Sequence, residues 1–250
     1  MGRGTANGLP LHVCRICGAA DAVLLASKDH WHYFRCAGCD FAFLDPMPDA
    51  PALDGVYHLA EGYGNSAYHA KRRSRLRRAF FRLPRFLPLI LGKDVLDVGC
   101  GGGINAAVFA RFARRSVGVD ASASAIAYAR SQGSRAEYLQ VDCCSEQHIG
   151  AFDFVYAADV IEHLVNLDAF LQFLARNTAP RGCVYIATPD FASPRRPRDV
   201  THWDVLTPPY HVQFFNERNL TLAFARHGFQ CVRRYRSTKL GLNILFRRCA

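Results

Sequence analysis

Residues Lys93 to Gly103, Lys-Asp-Val-Leu-Asp-Val-Gly-Cys-Gly-Gly-Gly, constrain the fold more than any other stretch of the chain. Val95, Leu96 and Val98 make the apolar run that a parallel strand buried on both faces requires, and the run ends in glycines. Ile104 to Phe112 then repeats apolar residues at helical spacing. A strand, a glycine turn and a helix in that order predict a βα unit whose bare main chain lies open to a ligand. A Cβ would obstruct that approach, and the first free N–H groups of the helix add partial positive charge. At 250 residues, half of them hydrophobic, the chain can bury one full-sized core and carry a small appendage.

Two cofactor classes use such a turn. The dinucleotide fingerprint GxGxxG starts at Gly99 and Gly101 but meets Ile104 where its third glycine belongs. Read as an acidic residue followed by alternate glycines, Asp97, Gly99, Gly101 and Gly103, the stretch resembles motif I of the class I S-adenosylmethionine-dependent methyltransferases. The resemblance implies an α/β, doubly wound Rossmann-like sheet that binds S-adenosylmethionine through those four residues.

Further βα alternation supports that expectation. Ser116 to Asp120 reads as a second strand followed by a helix from Ala123 to Arg130, and Asp120 can accept from both vicinal ribose hydroxyls. Ala136 to Cys143 reads as a third strand, on which the resemblance sets Asp142 against the adenine amino group and the Cys143 N–H against the ring. Phe152 to Ala158 is the fourth, with Ala158 in the implied cofactor site. A helix over 167–177, a fifth strand from Gly182 to Pro189, a helix from Arg218 to His227 capped by Asn216, and strands over 229–236 and 243–246 complete the pattern.

After the fourth strand comes Asp159-Val160-Ile161-Glu162-His163-Leu164, similar to a run in the small-molecule O-methyltransferases of quinone biosynthesis and in bacterial glycan and natural-product methyltransferases. On a helix, Asp159, Glu162 and His163 would share one face, placed to abut the transferred methyl or to hold a divalent cation. Tyr210 to Asn216 looks like a His-containing segment of the same bacterial group, so His163 and His211 are the expected general bases, with Glu162 orienting a histidine. Thr207-Pro208-Pro209-Tyr210 superficially resembles a motif of nucleic-acid amino-methyltransferases, but it lacks the leading Asn or Asp and does not follow the fourth strand.

Near the amino terminus, Cys14, Cys17, Cys36 and Cys39 form two CxxC pairs at the spacing of a structural four-cysteine zinc site, predicting a zinc ribbon held by its metal. The expected units are 1–46 for the ribbon, 47–91 for linker and lid helices, and 92–250 for the methyltransferase core. In methyltransferases with a similar start an aromatic segment covers the cofactor, which implies a lid role for Tyr57 and Tyr63. Of the other cysteines, 100, 143, 144, 183 and 231 read as small inert apolar residues.

A formal net charge of +10 suits anionic partners, among them a phosphorylated or lipid-linked small molecule, or nucleic acid. Lys71 to Leu83 reads as a basic helix interrupted at Pro84, and Arg195, Arg196 and Arg198 can bind a phosphate or carboxylate. No RNA-binding aromatic signature accompanies the basic run, so nucleic acid is not favoured. Met1 to Gly8 carries no apolar segment and no stretch approaches a membrane span, so a reducing cytoplasm is expected. The expected activity is methyl transfer to a hydroxyl of a sugar, glycan or natural-product intermediate. Its alternatives are ribosomal or transfer RNA methylation, and a non-enzymatic binding module with a degenerate cofactor site.

Overall fold

The computed structural model describes the backbone at 5–6, 9–10 and 66–71 and whole residues over 12–49, 72–236 and 241–249. After a two-residue ribbon, β1 (Thr5–Ala6) against β2 (Leu9–Pro10), the chain forms two sheets. The larger contains β6 (Asp94–Val98), β7 (Arg115–Asp120), β8 (Glu137–Gln140), β9 (Phe152–Ala158), β10 (Thr178–Pro189), β12 (Phe229–Tyr235) and β13 (Gly241–Arg248). Their spatial order is β12-β13-β10-β9-β6-β7-β8, and β13 alone points opposite to the other six. The order reverses between β6 and β9, so the crevice at the carboxyl ends of these two strands is where such a sheet takes a ligand.

The central strands are buried almost without interruption, successive residues packing on opposite faces of a sheet covered on both sides. Val95, Phe154, Tyr156 and Tyr185 pack on one face under α1 (Ser66–Ile90) and α2 (Ile104–Phe109). Leu96, Val98, Val155 and Ala157 pack on the other, with Phe170 and Phe173 of α4 (Leu167–Asn177) and Leu220 and Phe224 of α5 (Glu217–Ala225). A shorter helix, α3 (Ala123–Ser131), follows β7, with Ser122 accepting from the Ala125 N–H as its cap. The sequence placed α2 out to Phe112. It ends at Phe109 because the next turn tightens, the Phe112 N–H bonding Phe109 three residues back.

Pro84 does not interrupt the basic helix: α1 runs through both Pro84 and Pro88. Both prolines are exposed, while Ala79, Leu83, Phe86 and Ile90 are buried along one stripe. Interior proline costs a helix about 3 kcal/mol. Burying Leu83, Phe86 and Ile90 returns roughly 1.5 to 3 kcal/mol each, comparable with the cost of the two prolines together.

The smaller sheet joins β3 (Val23–Lys28), β4 (Trp31–Arg35) and β5 (Ala42–Leu44) to β11 (Gln213–Phe214), in the order β11-β5-β4-β3. A boundary at residue 46 therefore cuts through a shared sheet. Three short strands cannot bury their own apolar face, and Phe41 and Phe43 join the core that contains Leu220 and Phe224. Packing thus supports the ribbon independently of any metal. Tyr57 and Tyr63 lie outside the described residues.

Candidate functional site

The glycine turn is built as the sequence requires, with Gly99, Gly101 and Gly103 at φ of 67°, 50° and 76°. A Cβ on Gly99 would come within 2.4 Å of Val160, and one on Gly103 within 2.5 Å of the Tyr138 ring, whose hydroxyl donates to the Gly103 carbonyl. Packing against Val160 and Tyr138 therefore closes these two positions to any side chain. Asp120, at the tip of β7, accepts from the Gly101 N–H and the Ser122 N–H at 2.9 Å each, which holds its carboxylate against the turn.

Asp97 is placed differently from the expectation of a direct cofactor contact. It is 1% exposed and accepts from the Ala106 N–H at 3.0 Å, bracing the turn from beneath. Burial pushes its carboxyl up to about 8, with the Ala106 bond opposing and nearby Asp120 adding to the rise. At the end of β8, Asp142 is exposed and accepts from the Cys144 N–H at 2.8 Å, so this acidic side chain shapes its own turn. Cys143 and Cys144 are not independent inert thiols. Their mutual hydrogen bond raises the pKa of the first and lowers that of the second.

Asp159, Glu162 and His163 do not share a helical face. Asp159 takes a left-handed conformation, φ 57°, just past β9, and a short 3-10 turn covers Ile161–His163. The cluster that forms brings His211 to Glu162 and His163 in place of Asp159. Donor atoms of these three side chains lie within 4.8 Å of one another. The expected cation group of Asp159, Glu162 and His163 is thus corrected: the left-handed residue turns the chain before a helical face can form.

Hydrogen bonds fix the tautomers of both histidines. His163 Nδ1 lies 2.8 Å from the Tyr210 carbonyl and His211 Nδ1 lies 2.5 Å from the Val205 carbonyl. A carbonyl only accepts, so each Nδ1 carries the proton and each Nε2 keeps a lone pair. The rings stand 4.7 Å apart. Burial holds both histidines below the usual range, His211 down to about 4, so both are neutral at pH 7. Glu162 is pushed up to about 8 by burial and then by Asp159, and accepts from the Thr188 hydroxyl at 2.9 Å.

Three residues that sequence patterns did not single out hold this cluster. Thr188 at the end of β10 anchors Glu162, and Gln213 donates to the Ile161 and Leu164 carbonyls at 2.8 and 2.9 Å. Tyr33, from the ribbon, donates to the His211 carbonyl at 2.5 Å. Gln213 lay within the flagged segment from Tyr210 to Asn216, but Tyr33 carried no signal because its partner is 178 residues away.

The four ribbon cysteines converge. Cys14 and Cys39 sulfurs are 3.6 Å apart and those of Cys17 and Cys36 are 3.3 Å apart, close to the edge of about 3.8 Å that a Zn–S bond of about 2.3 Å implies for a tetrahedron. Both knuckles repeat one backbone pattern: the Cys14 carbonyl accepts from Gly18 and the Cys36 carbonyl from Asp40, each at 2.9 Å. Gly18 and Asp40 are the left-handed residues that close them. Burial raises Cys14 to about 11 and Cys39 further, a set of thiols that a bound cation would convert to thiolates. The donor set fits structural zinc, with four sulfurs leaving no open position.

Of the loop arginines, Arg195 lines a cavity beside Asp190, Arg196 donates to the Phe191 carbonyl at 2.8 Å, and Arg198 is exposed. Among the described residues no helix is long and apolar enough to cross a membrane.

The strand order, the glycine turn and the carboxylate at the second strand tip define a class I methyltransferase, a class whose methyl donor is S-adenosylmethionine. A methyltransferase-domain family model matches residues 68–234, and the chain belongs to that family. Among its relatives, the ubiquinone biosynthesis O-methyltransferase of Rhodopseudomonas palustris (strain BisB18) is 34% identical over 115 residues, covering 44% of this chain and 45% of the relative. The enzyme of the same name from Nitrobacter winogradskyi is 29% identical over 161 residues, 57% and 61% of the two chains. The chain thus spans about half the length of the curated relatives it matches. Solved structures share the fold. An S-adenosylmethionine-dependent methyltransferase from Mesorhizobium loti aligns at TM-score 0.57 and 18% identity, covering 68% of this chain and 98% of that one. Magnesium protoporphyrin IX methyltransferase from Synechocystis, with bound SAH, aligns at 0.59 and 16%, covering 79% and 95%.

Proposed function

We propose that the protein transfers the methyl group of S-adenosylmethionine to an oxygen of a small molecule, a hydroxyl of a sugar, glycan or natural-product intermediate. The observation that carries this reading is the pairing, across adjacent strands β6 and β9, of an Asp120-held glycine turn with two neutral histidines. The O-methyltransferase relatives favour oxygen as the acceptor atom.

S-adenosylmethionine supplies a methyl already activated by its sulfonium. The donor lies against the main chain of the turn at Gly99 and Gly101, while Asp120 is available to the ribose hydroxyls, and Asp142, the Cys143 N–H and Ala158 complete the nucleoside site. Asp97 and Gly103 support the turn from below. As the C–O bond forms and the C–S bond breaks, the hydroxyl proton passes to Nε2 of His163 or His211, each of which holds a free lone pair there. Glu162, protonated at neutral pH, adds no charge that would compete for that proton. Holding acceptor and methyl in line supplies much of the rate.

The test is a labelled-methyl assay against sugar, phenol and RNA acceptors, with His163→Gln and His211→Gln alongside wild type. Label should enter a small hydroxyl compound, and the variant that lacks the base should lose about 100-fold in kcat or more while keeping its affinity for the donor. Label entering only RNA, or full turnover in both variants, would sink the proposal.

A further inference from the structure

The outward face of α1 takes no part in the core. Ala79, Leu83, Phe86 and Ile90 are buried against the sheet, and at about 100° per residue the opposite side of the helix is centred on Phe81, which is 78% exposed. Arg77 and Arg78 flank this phenylalanine one turn before it and Arg85 one turn after it. Exposed Pro84 and Pro88 lie on the same side, and Leu91 just past the helix is 63% exposed. The helix holds one lysine and seven arginines and no acidic residue. Arg73, Arg77, Arg78 and Arg82 are all exposed, and among the described residues none of them is held in an ion pair.

We propose that this face docks the protein on an anionic lipid bilayer, an inference that stands apart from the methyltransferase reading. The arginines meet negative headgroups spread over a plane, and Phe81 enters between them toward the acyl boundary. Because the main apolar stripe of the helix is already buried, the contact is electrostatic with one aromatic wedge, and so reversible and sensitive to salt. Nucleic acid matches this face less well. Single-strand sites line a groove with successive stacking aromatics, whereas here a convex helix presents one ring beside Pro84, Pro88 and Leu91, which add nothing to phosphate binding. The fold also aims the face. β12 runs parallel to β10, so Tyr235 at its last residue lies at the carboxyl edge of the sheet, and Arg85 stands 4.9 Å from the centre of its ring. α1 ends beside the amino end of β6, so the turns before Arg85, with Arg73, Arg77, Arg78 and Phe81, extend toward the edge where the crevice opens. Docking along them sets the crevice beside the bilayer.

The experiment is flotation of the full chain with vesicles of equal parts phosphatidylcholine and phosphatidylglycerol, set against vesicles of phosphatidylcholine alone. Wild type is compared with Phe81→Ser, with Arg77→Gln/Arg78→Gln, and with Arg135→Gln/Arg218→Gln, a control that loses two exposed charges elsewhere. Wild type and control should bind the anionic vesicles alike and ignore the neutral ones, while both α1 variants bind about tenfold or more weakly. Phe81→Trp should float as wild type does, and its emission should shift further to the blue on binding than that of wild type, as the added indole enters the headgroup region. Thermal midpoints should be the same throughout, because every substituted side chain is exposed. Wild type left unbound, equal weakening in the control, unchanged binding by Phe81→Ser, or uptake of polyuridylate in place of vesicles would overturn the proposal. Failure of wild type to bind S-adenosylmethionine would strike the methyltransferase reading and leave this result standing.

Discussion

Asp97 is a carboxyl in a place where its charge is not wanted. Buried at the tip of β6, it is pushed up to about 8 from a reference of 3.8, chiefly by loss of solvent. Between those values the unfolded chain releases a proton that the folded chain keeps. Its contribution to stability is therefore complete below the reference value, declines as pH rises, and is gone above about pH 8. Asp97→Asn retains an acceptor for the Ala106 N–H and removes the titration. Urea unfolding at pH 5 and pH 8 should show wild type losing more stability over the interval than the variant. Equal losses would mean that the group titrates alike in both states. The acidic residue was legible in the sequence as part of the turn, but its burial was not, since spacing gives a strand position without saying which side α2 covers.

Among the elements, α1 shows how packing overrides a local rule. Proline at 84 reads as a break, and the helix continues because its apolar stripe meets the sheet. Phe86 at the centre of that stripe touches the rings of Phe109, Phe154, Tyr156 and Tyr185, with centroids 6.3, 5.7, 5.5 and 4.7 Å away. Phe86→Ala should cost about 3 to 5 kcal/mol in denaturant unfolding, and a loss below about 1 kcal/mol would show that α1 does not carry this face. Strands with continuous apolar runs were the easiest elements to read: β9 spans Phe152–Ala158 and α4 spans Leu167–Asn177, as the sequence placed them. The segment after β9 misled because its spacing suits a helix, whereas the left-handed backbone at Asp159 redirects it.

Across the whole molecule, the amino-terminal ribbon and the cluster of Glu162, His163 and His211 form one structure. Leu44 donates to the Val212 carbonyl at 2.9 Å, Val212 donates to the Glu162 carbonyl at 2.8 Å, and Asn219 donates to the Cys39 carbonyl at 3.1 Å. Sequence spacing revealed the convergence of the four cysteines but not this connection, because every contact joins residues far apart in the chain. Elemental analysis should find one zinc per chain. Its removal by a chelator should lower the thermal midpoint and reduce activity through the Tyr33 and Val212 contacts to the histidine segment. An apo protein with unchanged midpoint would show that packing alone supports the ribbon.

The central claim is that the turn over 99–103, with Asp120 beside it, holds the methyl donor. Calorimetric titration of the protein with S-adenosylmethionine, repeated on Asp120→Ala, tests it most directly. The account predicts one donor per chain and an affinity about tenfold or more weaker in the variant. No uptake by wild type, or uptake indifferent to Asp120, would contradict it.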